Sequence, residues 1–391
     1  MIFRLKTSKQ TEEIFKELES RTLECMSIEC EIVDSLKLVN NTMDKLISRG
    51  YEKSAIYTPK AYGSVYRFSE TSIVSKNEFK TNPLTSLMTR KFKHLLNECK
   101  ADLIIGTHPF PMIALSTLKK NKNPHSLIKA ENLHKSNYID IPPMISVLTD
   151  YTTHSTWIQN EIDYYIVGHE YVKELLAYEG VNSKKIKAFG IPVEKSFLNH
   201  RNKDTVLKEF GLSPNKLTIL LMGGSFGAGN IKETLEELLA VDRDFQILVI
   251  TGKNEHLKDK LSKMLDSTVH NKKVCLLGYT DKMNDILASI DVLISKPGGL
   301  TTTEALLNNV PMIVPYFIPG QEEENLDFLT NCGAALRTTK KYSLPVLLKV
   351  LIDDPSRLDT LRNNIISIRK SDSAVNISNL VVDILNNNDQ I

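Results

Sequence analysis

Apolar residues along this chain come in short runs separated by amphipathic stretches, and the spacing predicts strands alternating with helices. In the first half, strands are expected at Met1–Leu5, Glu29–Ser35, Asp102–Gly106, Pro143–Thr149 and Tyr164–Gly168, with helices over Thr11–Ser20, Thr42–Arg49 and Tyr171–Tyr178. Such βα repetition is the signature of a parallel sheet covered by helices. The polar, Lys- and Asn-rich run Asn199–Asn215 predicts a linker. Beyond it the alternation resumes, with strands at Leu217–Met222, Phe245–Thr251, Lys273–Leu277, Asp291–Ser295, Met312–Pro315 and Ala334–Leu336 and a last helix over Ala374–Asn386. The reading is α/β, with a first domain over 1–198, a second over 199–372 and a terminal helical segment over 373–391.

Composition changes this picture little. A chain of 391 residues suits two cores better than one. With 41% hydrophobic and 25% charged residues it is of ordinary globular make-up, and a net charge of +2 gives no general reason to expect nucleic acid as a partner. The five cysteines form no CxxC pair, so neither a zinc site nor a disulfide framework is implied, and reduced thiols in the cytoplasm are expected. The apolar run at the N-terminus is too short for a signal peptide, and no run of apolar residues is long enough to span a bilayer. Membrane contact, if made, is peripheral. Between Lys76 and Lys135 there are eleven Lys or Arg against four Asp or Glu, interleaved with Leu84, Leu87, Met88 and Leu95 close to helical spacing. A basic amphipathic helix with Arg90, Lys91 and Lys93 on one side fits an anionic membrane surface; a core-facing helix with a solvated basic side fits the same pattern.

The richest chemistry lies in Ser295–Asn325, SKPGGLTTTEALLNNVPMIVPYFIPGQEEEN, which reads as a strand end, a Gly-Gly turn, a helix over Thr301–Asn309, a buried strand and a second helix start after Pro319-Gly320. Free N–H groups at a glycine-opened helix start attract anionic oxygens, which makes Gly298-Gly299 a candidate phosphate cradle. Glu304, one turn on, is placed to accept hydrogen bonds from vicinal hydroxyls. Taken singly, a Gly-Gly pair is also a plain turn and a first-turn glutamate a helix-dipole partner. Three more loops follow strands of the same half: Gly223–Asn230, with Gly224 and Ser225, as a phosphate or acceptor loop or a plain turn; Lys253-Asn254, whose ammonium would offset anionic charge; and Gly278-Tyr279-Thr280. Ligands of open α/β sheets bind outside the carboxyl ends of the strands, where all four loops fall.

KPGGLTTTEAL followed by PGQEEEN resembles the nucleotide-sugar site of GT-B glycosyltransferases, in the group holding monogalactosyldiacylglycerol synthases, processive diacylglycerol glucosyltransferases and the transferase that adds N-acetylglucosamine to lipid I. The diacylglycerol enzymes are the nearer match. The resemblance implies two doubly wound Rossmann-like domains facing a central cleft, with the last helix crossing back to the first. It implies that Gly298, Gly299 and Thr301 hold the donor diphosphate, Glu304 the ribose, and Gln321, Glu322 and Asn325 the sugar and its surroundings, while the loop at Gly278-Tyr279-Thr280 reads the uracil edge. UDP-sugar is then a co-substrate, no metal is obligatory, and the acceptor is a membrane lipid reached from the inner face of the cell membrane. The expected chemistry is transfer of a hexose to the hydroxyl of a diacylglycerol-type lipid, with inversion.

The acceptor side belongs to the first domain, where His108, Asp150 and His154 are the titratable residues this reading places on strand-end loops. Histidine titrates near neutrality, and a partly desolvated aspartate also takes a proton from an attacking hydroxyl. His108-Pro109 and the spacing from Asp150 through His154 and Trp157 to Asp163 match the diacylglycerol enzymes, as does the turn Gly190-Ile191-Pro192. Each is also readable as a structural polar residue or a turn. The start departs from the family: MIFRL runs into KTSKQTEEIF, without the glycine-rich loop and histidine that members carry there. Two readings follow. One is an active transferase with Asp150 as the first choice of base; the other is a UDP-sugar and membrane-binding pseudo-enzyme, with a GT-B epimerase acting on the UDP-sugar alone as a weaker third.

Overall fold

The computed structural model describes residues 2–4, 12–14, 16–18, 29–39, 63, 64, 66, 83–120, 141–224 and 229–388. The predicted helix at Thr42–Arg49, the residues between Leu5 and Thr11 and Ser225 lie outside them. The chain divides into two compact units after Glu194, and residues from Asp372 onward return to the first.

In the first unit the described elements run β1 (Ile2–Arg4), β2 (Ile32–Asp34), α1 (Ser35–Val39), α2 (Pro83–Cys99), β3 (Ile104–Gly106), α3 (Pro109–Lys120), β4 (Met144–Val147), β5 (Tyr164–Ile166), α4 (Glu170–Tyr178) and β6 (Ile186–Lys187). The strands pair in parallel in the order β2-β1-β3-β4-β5-β6. Strand order reverses between β1 and β3. Strand β6 escaped the sequence reading because two residues carry no periodicity.

The second unit runs α5 (Lys203–Glu209), β7 (Thr218–Met222), α6 (Ile231–Leu239), β8 (Gln246–Ile250), α7 (Glu255–Ser267), β9 (Lys273–Leu277), α8 (Met283–Leu287), β10 (Val292–Ile294), α9 (Gly299–Leu307), β11 (Met312–Val314), α10 (Gln321–Asn331), β12 (Ala335–Arg337), α11 (Leu344–Asp353) and α12 (Ser356–Ile368). The described sheet order is β12-β11-β10-β7-β8-β9, all parallel. Strands β7 and β8 are buried along their whole length, as a parallel sheet covered on both faces requires. Here the order reverses between β7 and β10, so the loops after those two strands flank the switch point at which doubly wound sheets bind ligands.

Three expectations change. The run read as a linker contains α5, capped by the Asn202 side chain, which accepts from Asp204 N and Thr205 N. It is fixed to its own unit: Val206 and Leu207 are buried, and Lys203 Nζ sits 3.0 Å from Asp291 Oδ1. That carboxylate also accepts from Thr218 N at 2.8 Å and binds Arg362, so lysine in this run is a tether rather than a mark of solvation. Helix α9 opens at Gly299, two residues before the predicted Thr301, because Gly298 already serves as its cap. The basic segment does form a helix, α2, yet Met88, Phe92 and Leu96, one stripe at i, i+4 and i+8, are buried in the protein core. Arg90 and Lys91 remain exposed. Of the apolar residues on which the two readings rested, Met88 faces the core, Leu95 is half-buried and Leu87 stays exposed.

The last helix, α13 (Ser373–Asn388), belongs to the first unit. Ile377, Val381 and Ile384 share a core with Ile14, Leu18, Ile105, Ile145 and Ile166. Ser373 Oγ donates to Gly190 O at 2.7 Å, which ties the helix start to the Gly190-Ile191-Pro192 turn.

Candidate functional site

In the second unit the four loops singled out by sequence leave four neighbouring strands, in the spatial order β10-β7-β8-β9. After β7, Gly224 takes φ +72 and Gly229 φ +108, values open to glycine and costly for other residues. A Cβ at Gly229 would lie 1.8 Å from the Tyr316 ring, so the far foot of this loop rests directly on that aromatic. Burial, and then the Glu322 charge, raise the Tyr316 hydroxyl pKa well above its ordinary value, so the phenol stays neutral.

After β8, Lys253 Nζ lies 5.6 Å from the centroid of Tyr279, which stands in the loop after β9 and is 65% exposed. The two loops therefore lean together through a cation–π contact. Asn254 is the cap of α7, its Oδ1 accepting from Leu257 N at 2.9 Å, and Thr280 Oγ1 accepts from Lys282 N at 3.1 Å. Both side chains make a local contact, and Lys253 and the Tyr279 ring are exposed on this edge.

After β10 the chain turns through Lys296-Pro297-Gly298 into α9, whose first N–H groups have no side-chain cap. Thr303 Oγ1 donates back to Gly299 O at 2.7 Å, and Glu304 is buried on the same helix, 8% exposed. Helix α10 opens at Gly320 with Glu322, Glu323 and Glu324 in its first turn. The two helix starts are bolted together. Asn325, fully buried, donates to Pro297 O at 3.0 Å; Glu322 binds Lys296 through Oε1 and accepts from Ile318 N through Oε2 at 2.9 Å. Thus Gly298, Gly299, Thr301, Glu304, Gln321, Glu322 and Asn325 are gathered at one edge, with Gly224 joined to them because its Cβ position lies 3.5 Å from Lys296 Cε. Lys296 and Tyr316 went unnoticed in the sequence. The signal for Lys296 was its place two residues before the glycine pair; for Tyr316 nothing in the sequence pattern pointed to Gly229.

In the first unit, His108, Asp150 and His154 lie at the carboxyl ends of β3 and β4. A third strand end carries another histidine, His169, after β5, so the set of titratable residues there is larger than the sequence reading held. The three imidazoles share one device. Each Nδ1 accepts a backbone N–H two residues on: Phe110 N to His108 at 3.3 Å, Thr156 N to His154 at 3.2 Å and Tyr171 N to His169 at 3.2 Å. At His154 the same Nδ1 also lies 2.8 Å from Thr156 Oγ1, and at His169 the other ring nitrogen, Nε2, faces Glu170 Oε2 at 3.4 Å. Burial pushes the pKa of His108 down to about 3, and its ring stands between Phe110 and Trp157, centroids 5.0 and 6.5 Å away. His154 packs at 4.7 Å against Tyr66.

Asp150 is partly exposed on the loop after β4 and is followed by Tyr151, which is buried. Thr153 Oγ1, on the same loop, donates to Glu179 Oε1 at 2.8 Å. The last member of the Asp150-His154-Trp157-Asp163 spacing is elsewhere. Asp163 precedes β5 at its amino end, where Oδ2 accepts from Met144 N at 2.8 Å and pairs with Lys119 at 2.6 Å. It fastens the sheet at the opposite edge from Asp150.

Two parallel α/β units with these strand orders define a GT-B fold. Solved structures agree: MurG of Acinetobacter baumannii superposes with a TM-score of 0.56 at 14% identity over 77% of this chain and 78% of that one. The UDP-GlcNAc 2-epimerase of Neisseria meningitidis, bound to UDP-GlcNAc, gives 0.57 at 14% identity over 98% of each chain. Residues 13–193 match the monogalactosyldiacylglycerol (MGDG) synthase family, and residues 218–360 the C-terminal domain of glycosyltransferase family 28. The processive diacylglycerol beta-glucosyltransferase of Bacillus licheniformis is 30% identical over 81% of this chain and 76% of its own length; that of Bacillus pumilus is 29% identical over 93% and 91%. The chain belongs to the family of monogalactosyldiacylglycerol synthases and processive diacylglycerol glucosyltransferases.

Proposed function

We propose that this protein transfers a hexose from a UDP-sugar to the hydroxyl of a diacylglycerol-type membrane lipid. The observation that carries the reading is the bolted pair of helix starts at the sheet's switch point, built from the same string that marks the family. Open N–H groups at Gly299 and at the start of α10 suit the negative charge that grows on departing UDP, and buried Glu304 suits the ribose hydroxyls. The relatives are named glucosyltransferases, and they lend no support to a pseudo-enzyme. On this reading the acceptor hydroxyl attacks the anomeric carbon directly, giving inversion. Asp150 takes its proton, since burial makes His108 too weak a base and the Nδ1 atoms of all three nearby histidines face backbone N–H groups. Incubation with diacylglycerol vesicles and each of UDP-glucose, UDP-galactose and UDP-N-acetylglucosamine, followed by mass spectrometry of the lipid, is the test. No glycolipid from any donor would refute the activity.

Glu304→Ala should weaken UDP binding by about 1–3 kcal/mol, the range for a lost charge-assisted hydrogen bond. Calorimetry that finds UDP affinity unchanged in a folded variant removes the ribose assignment.

Among the described residues no helix is long and apolar enough to cross a membrane. With Met88, Phe92 and Leu96 of α2 buried, its exposed Arg90 and Lys91, with Lys93 and the exposed Leu87, meet an anionic surface chiefly by charge. Changing Arg90, Lys91 and Lys93 to Gln should lower binding to anionic vesicles about a hundredfold, at about 1 kcal/mol per cation, and rising salt should weaken the wild type. Sedimentation showing equal binding to neutral and anionic vesicles at every salt concentration would end the electrostatic account.

A further inference from the structure

Lys296 sits where three parts of the second unit meet. It follows the last buried residue of β10's exit, Ser295, whose hydroxyl is fully buried and has no hydrogen-bond partner among the described residues. Its Cε approaches Gly224 across the switch point between β7 and β10, 3.5 Å from that residue's Cβ position. Its ammonium binds Glu322 Oε1, and that same oxygen lies 3.8 Å from the Cβ position of Gly298, the cap of α9. The ammonium is therefore one carboxylate away from the uncapped N–H groups of α9, and its side chain keeps 21% exposure against 13% for its partner. Lys253, another cation on this edge, leans instead on the Tyr279 ring, one strand further from the switch.

We infer that Lys296 is the counter-charge of the donor diphosphate: Glu322 parks its ammonium beside the α9 start, and the arriving diphosphate takes over the contact. This deepens the donor reading above and rests on it. The geometry explains why a lysine stands here. A single ion pair this sheltered gains from Coulomb attraction but bears the desolvation of both ions. A doubly charged ligand at the helix start offers the ammonium a stronger partner, reinforced by the helix dipole. Glu322 keeps a second task throughout, since its other oxygen accepts from Ile318 N. Releasing the lysine therefore need not undo the loop. Gln at position 322 can still accept that N–H while no longer competing for the ammonium.

The experiment compares UDP with uridine, which has the base and ribose but no phosphate, by calorimetry on the full chain. Lys296→Met should lower UDP affinity about tenfold to a hundredfold, the loss expected for one charge-assisted contact, while uridine affinity changes less than twofold. Retained uridine binding is also the proof that the variant is folded. Glu322→Gln should bind UDP at least as tightly as the wild type. Equal losses for UDP and uridine in Lys296→Met, no loss of UDP, or weakened UDP binding in Glu322→Gln would each overturn the assignment and leave the pair as scaffold. Wild-type protein that binds neither ligand would instead refute the donor reading itself, and the inference with it.

Discussion

Asp150→Asn should cut turnover of UDP-sugar with diacylglycerol vesicles about a hundredfold or more while leaving UDP affinity as it is, because general-base catalysis contributes about 10²–10⁴. The argument comes from what surrounds it. The three strand-end histidines have their Nδ1 atoms committed to backbone N–H groups, and His108 is pushed down to about 3, too weak a base for neutral pH. Asp150 stands on the same edge, held in place by buried Tyr151 beside it and by the Thr153 to Glu179 bond further along the loop. Steady-state kinetics decide the matter. A variant with normal kcat excludes Asp150, and one with a raised KM for the lipid alone makes it a binding residue.

Gly229→Ala should destabilise the second unit by about 2–4 kcal/mol, combining backbone strain at positive φ with displacement of a packed aromatic ring. The methyl group would overlap Tyr316, whose ring carbons and hydroxyl lie 1.8–2.2 Å from it. Gly211 supplies the control. It has φ +69, yet nothing lies within 4 Å of its Cβ position, so Gly211→Ala should bear only the backbone cost of about 1 kcal/mol. Urea unfolding of both variants separates the two contributions. Equal costs would mean that the Tyr316 contact is soft, and Gly229 no more than a turn.

The fold was legible because each parallel strand is an apolar run long enough to be seen, as in Thr218–Met222 and Gln246–Ile250, and the order of the runs fixes an α/β class. The edge proposed for the donor was legible for a different reason: most of its residues lie in one string, so that sequence neighbours are also neighbours in the fold. What escaped was contact between distant residues. Tyr316 under Gly229 and Lys296 across from Gly224 are meetings of loops that periodicity does not address. Local use of side chains was equally hidden. Asn254 and Thr280 have the polarity of ligand contacts, and the structure gives them to a helix cap and a turn. Asp163 fits a family spacing with Asp150, yet Met144 N and Lys119 hold it at the other edge of the sheet. In α2 the sequence showed two faces and could not say which one the core would claim.

The return of α13 to the first unit sets a timetable for synthesis. Ile377, Val381 and Ile384 complete a core whose other members, from Ile14 to Ile166, have left the ribosome long before. At about 5–20 residues per second the first unit waits roughly ten seconds or more with that core open. The described residues of the second unit all fall between Lys195 and Ser371 and have no such wait. The half that is made first is therefore the half that finishes last, and a nascent chain passes through an interval in which the second unit can be folded while the first still lacks its closing helix.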